Sequence, residues 1–253
     1  MSDPLDVLRA RLDGAVIALD YDGTLAPIVA RPSDAVAAPG AVEVLAALAA
    51  RVRTLALVTG RPADVVVALG GLVDVPGLVV LGQYGAQRWA GGEVSAPEEL
   101  PGVAQARDAL PALLVPEGAD LEDKGLAVVV HTRRAPDPAG ALERLAGPVG
   151  ELAAATGLEV HPGRFVLELR PPGYDKRSAL LSLCEPLPTA VLFAGDDLGD
   201  LPAYDAVDGL RDRGVPAVLV CSGSAEGPAA LRERADVVVD GPPGVVELLR
   251  SLL

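Results

Sequence analysis

The sequence predicts an α/β fold, a doubly wound parallel sheet with an α+β domain inserted into it. Three observations predict it. Short runs rich in Val, Ala and Leu alternate with amphipathic helical stretches, the βα rhythm of a parallel sheet. The runs are apolar at successive positions, as strands covered on both faces are. The rhythm is interrupted once by a block of different pattern and then resumes.

Taken in order, a strand over 15–19 is followed by a helix over 40–51, entered just after Pro39. A strand over 54–58, a helix starting at Pro62 and a strand over 78–81 continue the series. The interrupting block reads as a helix over 98–114, a strand over 126–131, a helix over 139–156 and two adjacent strands, 158–161 and 165–169. A Pro162-Gly163 turn is expected to join those two strands as a hairpin. Strands over 190–194, 216–220 and 237–239 return to the first pattern. The expected domains are a core of 1–97 with 173–253 and an inserted α+β domain of 98–172, with boundaries near Pro97 and Pro171-Pro172-Gly173. Inserted domains of this kind often act as lids.

The 253 residues are 50% hydrophobic but only 3% aromatic, so the core must be built from Ala, Val and Leu. Thirty-five acidic against 21 basic residues give a net charge of -14, which argues against nucleic acid and anionic membrane surfaces as partners. An anionic small substrate would need local positive charge. Lys124 and Lys176 are the only lysines among those basic residues. A retained lysine either marks a site that wants a compact ammonium or survives by chance in an Arg-biased sequence. Cys184 and Cys221 fit no metal spacing and lie in apolar segments, which predicts buried free thiols in a reducing compartment. No run reaches the about 18 apolar residues of a membrane span, and residues 1–14 have no apolar leader core, so a cytoplasmic address is expected. The sequence sets no oligomeric state; a monomer is the default.

In an open α/β sheet, ligands bind beyond the carboxyl ends of strands. Asp20-Tyr21-Asp22-Gly23-Thr24 follows the first strand, Thr59-Gly60-Arg61 the second, and Gly195-Asp196-Asp197 the strand over 190–194, with Asp200 close behind. Asp175-Lys176 opens a helix. A single Asp-Gly pair reads as a turn or a cap. Two acidic clusters at strand ends instead crowd negative charge that a divalent cation would offset, and Mg²⁺ prefers a few carboxylate oxygens plus waters and a phosphate. A calcium loop starting at Asp20 fails, because Thr24 and Arg31 stand at its fifth and twelfth positions. P-loop, serine-elbow and dinucleotide-binding glycine patterns are all missing. The Thr59 hydroxyl and the Lys176 ammonium suit the oxygens of a transferring phosphoryl group; a strand-end cap and a solvated helix residue are the plainer alternatives.

These residues resemble the four motifs of the haloacid dehalogenase-like phosphotransferases: Asp20-x-Asp22-Gly23-Thr24, Thr59, Lys176 and Gly195-Asp196-Asp197-x-x-Asp200. Within that superfamily, Leu19-Asp20-Tyr21-Asp22-Gly23-Thr24-Leu25-Ala26-Pro27, Val58-Thr59-Gly60-Arg61, Glu122-Asp123-Lys124-Gly125, His131-x-Arg133 and Glu168-x-Arg170-Pro171 are similar to trehalose-6-phosphate phosphatases, over residues 15–205. The resemblance implies a haloacid dehalogenase-like core with an α+β cap. It also implies hydrolysis of trehalose 6-phosphate, a small phosphosugar, to trehalose and phosphate through an aspartyl phosphate.

Under it, Asp20 is the nucleophile and Asp22 the general acid and then base. Mg²⁺ is held by a carboxylate oxygen of Asp20, the backbone carbonyl of Asp22 and Asp196, with Asp197 and Asp200 behind these ligands. Thr59, Gly60 and Lys176 hold phosphate. The family recognises sugar through its cap, which points to Glu122, Lys124 and Glu168. Read from the residues themselves, Arg133 and Arg164 would add hydrogen bonds, and the ring of Tyr84 would add a substrate contact. From the residues alone, an exposed salt-bridged sheet face is the plainer alternative for Glu122, Lys124 and Glu168. Tyr21, Tyr84 and Tyr174 fit a sugar face, a pocket wall or the core. His131 and His161 are expected to be structural. Two rivals stay open: another capped sugar phosphatase, for sucrose phosphate or mannosyl phosphoglycerate, and a non-catalytic sugar-phosphate sensor. Gly199 and Leu201 stand where the family commonly has Thr and Glu, and Arg177 where it has Gly, so the brace around the metal is left open.

Overall fold

In the computed structural model, which describes residues 3–97, 101–223 and 227–253, every apolar run predicted as a strand is one, with ends shifted by two residues or fewer except at 216–220, where the strand runs on to Gly223. The start assigned to a helix at Glu98 lies outside the described residues. The chain divides into two compact units, Met1–Ser95 with Asp175–Leu253, and Ala96–Tyr174. The first unit opens with α1 (Pro4–Arg9), β1 (Ala15–Leu19), α2 (Ala41–Ala49), β2 (Thr54–Val58), α3 (Ala63–Gly70), β3 (Val79–Gly82), β4 (Gln87–Ala90) and β5 (Glu93–Ser95). The second unit holds α4 (Pro101–Leu114), β6 (Asp120–Asp123), β7 (Val128–His131), α5 (Pro138–Thr156), β8 (Glu159–Gly163) and β9 (Val166–Arg170). The first unit resumes with α6 (Lys176–Leu183), β10 (Ala190–Gly195), α7 (Leu201–Asp212), β11 (Ala217–Gly223), α8 (Ala229–Arg234), β12 (Val237–Asp240) and α9 (Gly241–Arg250).

Among the described residues the first unit's sheet has eight strands in the order β12-β11-β10-β1-β2-β3-β4-β5. β12 through β3 run parallel, and β4 and β5 are antiparallel at the edge. The sheet is therefore mixed rather than wholly parallel. Its edge hairpin turns on Gly91 and Gly92, both left-handed at φ 60° and 89°. β4 buries only Trp89, so it offers no apolar run to read. From β1 the order proceeds one way to β2 and β3 and the other way to β10 and β11, which makes the β1–β10 pair the switch point of the sheet.

Side chains alternate across the sheet, and both faces are apolar. Ile17, Leu19, Leu57, Leu192 and Val220 pack with residues of α1, α2, α3 and α9. Val16, Ala18, Val58, Phe193 and Leu219 pack with residues of α6, α7 and α8. A fully buried Leu or Ile contributes about 1.5–3 kcal/mol, so the sheet that carries the loops below is held from both sides.

The second unit is an antiparallel sheet, β6-β7-β9-β8, with α4 and α5 on one face. Val128, Val130, Leu167 and Leu169 face those helices. The intervening residues Glu122, Val129, Glu168 and His161 line up in one row across the other face. Gly163 pairs with Val166, so the hairpin turns at Arg164-Phe165 rather than at Pro162-Gly163, with Phe165 left-handed at φ 62°. Pro162 instead lies within the edge strand β8, where proline is tolerated. No helix among the described residues is long and apolar enough to cross a membrane. Cys184 and Cys221 are buried and free.

Candidate active site

β1 and β10 run in register, Leu19 beside Ala194, so the residues just past each end emerge side by side. Asp20 N–H donates to the Ala194 carbonyl at 2.8 Å and places the Asp20 side chain on that rim. Gly23, at φ 75°, turns the chain immediately afterwards, and a Cβ there would lie 2.0 Å from Asp196 Oδ2. Only glycine lets the β1 loop approach Asp196 this closely. The hydroxyl of Ser222, at the end of β11, donates to the Gly23 carbonyl at 2.6 Å and ties down the same loop.

Lys176 is the first residue of α6, whose N-cap Asp175 accepts the Ser178 N–H at 2.7 Å. Its ammonium is buried and lies 2.6 Å from both Asp20 Oδ1 and Asp200 Oδ1. Asp200 Oδ2 accepts the backbone N–H groups of Asp196 at 2.9 Å and Asp197 at 3.2 Å. Both oxygens of Asp200 are thus engaged, and Asp200 acts as a brace between Lys176 and the β10 loop. Asp197 turns outward, exposed, and accepts the Gly199 N–H at 2.8 Å, with Asp200 completing a capping box.

Three carboxylates, Asp20, Asp196 and Asp200, have oxygens within 4.8 Å of one another. Burial pushes Asp20 upward, Lys176 pulls it back, and Asp200 and Asp196 add to the rise. Burial and the charges of Asp200 and Asp197 raise Asp196 to about 7. Burial alone would lower Lys176, but Asp20 and Asp200 hold its ammonium above the ordinary lysine range. One buried ammonium therefore faces three crowded carboxylates. This donor set is all oxygen and short of positive charge, and a hard divalent cation such as Mg²⁺ fits it. Asp20 and Asp196 are the residues that would hold it.

Thr59 is buried at the end of β2, where its hydroxyl accepts the Arg61 N–H at 3.2 Å. A hydroxyl in that state can still donate. Gly60 packs under Tyr84, whose ring would lie 2.8 Å from a Cβ there. Gln83 and Tyr84 are both left-handed, at φ 46° and 59°, and their N–H groups donate to the carbonyls of Arg61 and Thr59, each at 2.9 Å. Tyr84 is thus stitched to the loop of Thr59, Gly60 and Arg61. Tyr21 is core, with its hydroxyl donating to the Ala35 carbonyl at 2.7 Å. Asp22 lies outside the acidic group and pairs with Arg61.

The second unit brings three of its candidates onto the helix-free sheet face. Lys124 Nζ lies 2.9 Å from Glu168 Oε1, and Glu168 is buried. Glu122 stands in the same cross-strand row as Glu168, with Val129 between them, and lies 2.7 Å from His131 Nε2. Arg133 and Arg164 are exposed in turns at the other end of that sheet from Lys124, near the Thr132 N–H to Phe165 carbonyl bond of 3.0 Å. The sheet thus joins Glu122, Lys124 and Glu168 and separates the two arginines from them.

Sequence reasoning quoted Arg61 and Arg170 only as motif residues, passed over Ser222 and read both histidines as structural. His131 meets Glu122 and His161 meets Arg170 at 3.0 Å, contacts made by cross-strand register that spacing along the chain does not show. Burial and Arg170 lower His161. Ser222 follows the apolar run of β11, the same strand-end signal that found the aspartates.

A family model for trehalose-phosphatase matches residues 18–236. An uncharacterized glycosyl hydrolase of Mycobacterium tuberculosis is 39% identical over 204 residues, 75% of this chain and 15% of that protein. The trehalose-phosphate phosphatase of the same organism is 34% identical over 253 aligned residues, 87% of this chain and 59% of that protein. The chain therefore spans less than two thirds of either relative's length. Among solved structures, the C-terminal domain of C. albicans trehalose-6-phosphate phosphatase superposes with a TM-score of 0.80 at 21% identity, covering 98% of this chain and 95% of that one. A haloacid dehalogenase-like hydrolase from Bacteroides thetaiotaomicron gives a TM-score of 0.68 at 16% identity, over 95% and 100% of the two chains. At these identities the structural matches establish the haloacid dehalogenase-like fold.

Proposed function

The chain belongs to the trehalose-phosphatase family, and on that premise we propose that it is a Mg²⁺-dependent phosphatase that releases trehalose and phosphate from trehalose 6-phosphate. The observation that carries the reading is the buried Lys176 ammonium between Asp20 and Asp200, with Asp196 beside them at the switch point of the sheet. A pure binder of sugar phosphate has no need of a nucleophile and an acid two residues apart at a strand end, as Asp20 and Asp22 are.

In this reading a carboxylate oxygen of Asp20 attacks phosphorus; the new O–P bond forms as the bond from phosphorus to the sugar oxygen breaks. Asp22 gives a proton to the departing sugar oxygen and later takes one from the water that cleaves the aspartyl phosphate. Lys176 offsets charge on the phosphoryl oxygens and orients Asp20, and the Thr59 hydroxyl and the Gly60 loop add hydrogen-bond donors. Asp20 and Asp196, with the Asp22 carbonyl, would hold Mg²⁺, which supplies charge neutralisation to the phosphoryl oxygens. Asp197 and Asp200 support that set from behind.

We assign disaccharide recognition to the inserted unit, a cap of about 98–172. The helix-free face of its sheet offers carboxylates and an ammonium, Glu122, Lys124 and Glu168, that match sugar hydroxyls. Arg133 and Arg164 at the far end of that sheet, and Tyr84 in the core unit, are assigned secondary contacts. Two buried free thiols fit a cytoplasmic enzyme.

The test is phosphate release across trehalose 6-phosphate, sucrose 6-phosphate, mannosyl phosphoglycerate and glucose 6-phosphate, each with Mg²⁺ and with chelator. Metal-dependent release strongest on trehalose 6-phosphate supports the reading. Preference for another sugar overturns the substrate, and no release from any of them overturns the enzyme.

A further inference from the structure

Arg61 and Asp22 form a pair that none of the steps above uses. Arg61 Nε donates to Asp22 Oδ2 at 2.6 Å and one Nη donates to Oδ1 at 2.7 Å, so guanidinium and carboxylate meet edge to edge in one plane. The second Nη donates to the Pro32 carbonyl at 2.8 Å. The Arg61 backbone is fixed as well, its N–H on Thr59 Oγ1 at 3.2 Å and its carbonyl accepting the Gln83 N–H at 2.9 Å. The guanidinium is thus anchored at both ends before it touches Asp22. The two side chains are only 18% and 31% exposed. A lone Asp rotates about two side-chain bonds; a two-point fork held by a third anchor removes that freedom.

We propose that Arg61 is a positioning residue for Asp22, setting the direction of the carboxyl group that serves the leaving oxygen, and not a ligand of the phosphoryl group. The inference rests on the phosphatase reading above. In the first chemical step the Asp20–phosphorus bond forms, the phosphorus–sugar oxygen bond breaks, and the proton goes from Asp22 to that sugar oxygen. The sugar alkoxide is a poor leaving group and needs the proton in place. A p-nitrophenolate leaves without one. A group that acts only by aiming Asp22 therefore matters far more for the sugar ester than for the nitrophenyl ester, whereas a phosphoryl ligand matters equally for both.

The experiment compares kcat/KM, which reports steps through loss of the leaving group, for wild type, Arg61→Ala, Arg61→Lys, Asp22→Asn and the double variant Asp22→Asn/Arg61→Ala. Substrates are trehalose 6-phosphate and p-nitrophenyl phosphate, with Mg²⁺ present, and thermal melts confirm folding. Arg61→Ala should lose roughly tenfold to a hundredfold on trehalose 6-phosphate, the scale of a misplaced acid, and several-fold less on p-nitrophenyl phosphate. Arg61→Lys keeps the charge but not the fork, and should recover little of the loss. The double variant should be no worse than Asp22→Asn on trehalose 6-phosphate. Equal losses on both substrates, full rescue by lysine, or additive losses in the double variant each overturn the proposal while leaving the phosphatase reading intact. A wild-type protein inactive on both esters overturns that reading and this inference together.

Discussion

The ammonium of Lys176 lies 2.6 Å from Oδ1 of Asp20 with both side chains less than a tenth exposed. Lys176 is reached through the start of α6 and Asp20 through the end of β1, so two segments more than 150 residues apart meet in one ion pair. The same ammonium also holds Asp200, at 2.6 Å. It therefore ties the ends of β1 and β10 to the start of α6.

Replacing Lys176 by Met should leave Asp20 and Asp200 buried without their counter-charge. Removing one partner of a buried pair costs about 3–5 kcal/mol, and at this chain length that lowers Tm by roughly 6–20 °C. Turnover should disappear as well. A melt matching wild type in metal-free buffer would show that the pair is not what holds these carboxylates.

The raised Asp196, at about 7, makes the metal-free protein pH-dependent with a definite sign. Its carboxyl binds a proton more tightly folded than unfolded, where it titrates near 3.9. The metal-free fold therefore loses stability from this group as pH rises from about 4 to about 7. Mg²⁺ competes with that proton, so apparent Mg²⁺ affinity should rise with pH over the same window and level off above it. The check is the Tm gain from saturating Mg²⁺ measured between pH 5 and pH 8. A gain independent of pH would remove Asp196 from the metal site.

Strand ends were legible in the sequence because chemistry follows apolar runs: Asp20, Thr59 and Asp196 all come directly after four to six buried residues. The edge hairpin of β4 and β5 was not, since Gln-Arg-Trp-Ala buries a single ring. The Arg61–Asp22 and Glu122–His131 pairs were hidden for another reason. They are set by which loops lie side by side and by strand register, and no one-dimensional spacing encodes either.

Ser222 should behave as a support for the motif loop. Ser222→Ala removes the hydroxyl that satisfies the buried Gly23 carbonyl. Leaving that acceptor unpaired costs about 1–3 kcal/mol and loosens the backbone between Asp22 and Asp196. A lowered Tm together with a several-fold fall in kcat is expected. Unchanged values for both would mean water replaces the hydroxyl without penalty.

For the cap face, Glu168→Ala and Lys124→Ala should each cost roughly tenfold to a hundredfold in kcat/KM on trehalose 6-phosphate, because a sugar hydroxyl loses its partner. On p-nitrophenyl phosphate the loss should be much smaller. Equal losses on both substrates would mean the Lys124–Glu168 pair at 2.9 Å supports the fold of the second unit and not the sugar.

The proposed transfer of the phosphoryl group to Asp20 is checked by rapid acid quench during turnover of trehalose 6-phosphate labelled in its phosphate, followed by peptide mapping. Label should appear within the first turnover on the peptide carrying Asp20, be discharged by hydroxylamine as an acyl phosphate is, and be missing in Asp20→Asn, which should also be inactive. Turnover with no label on Asp20, or an Asp20→Asn variant that still releases phosphate at more than a few per cent of the wild-type rate, would rule out Asp20 as the nucleophile.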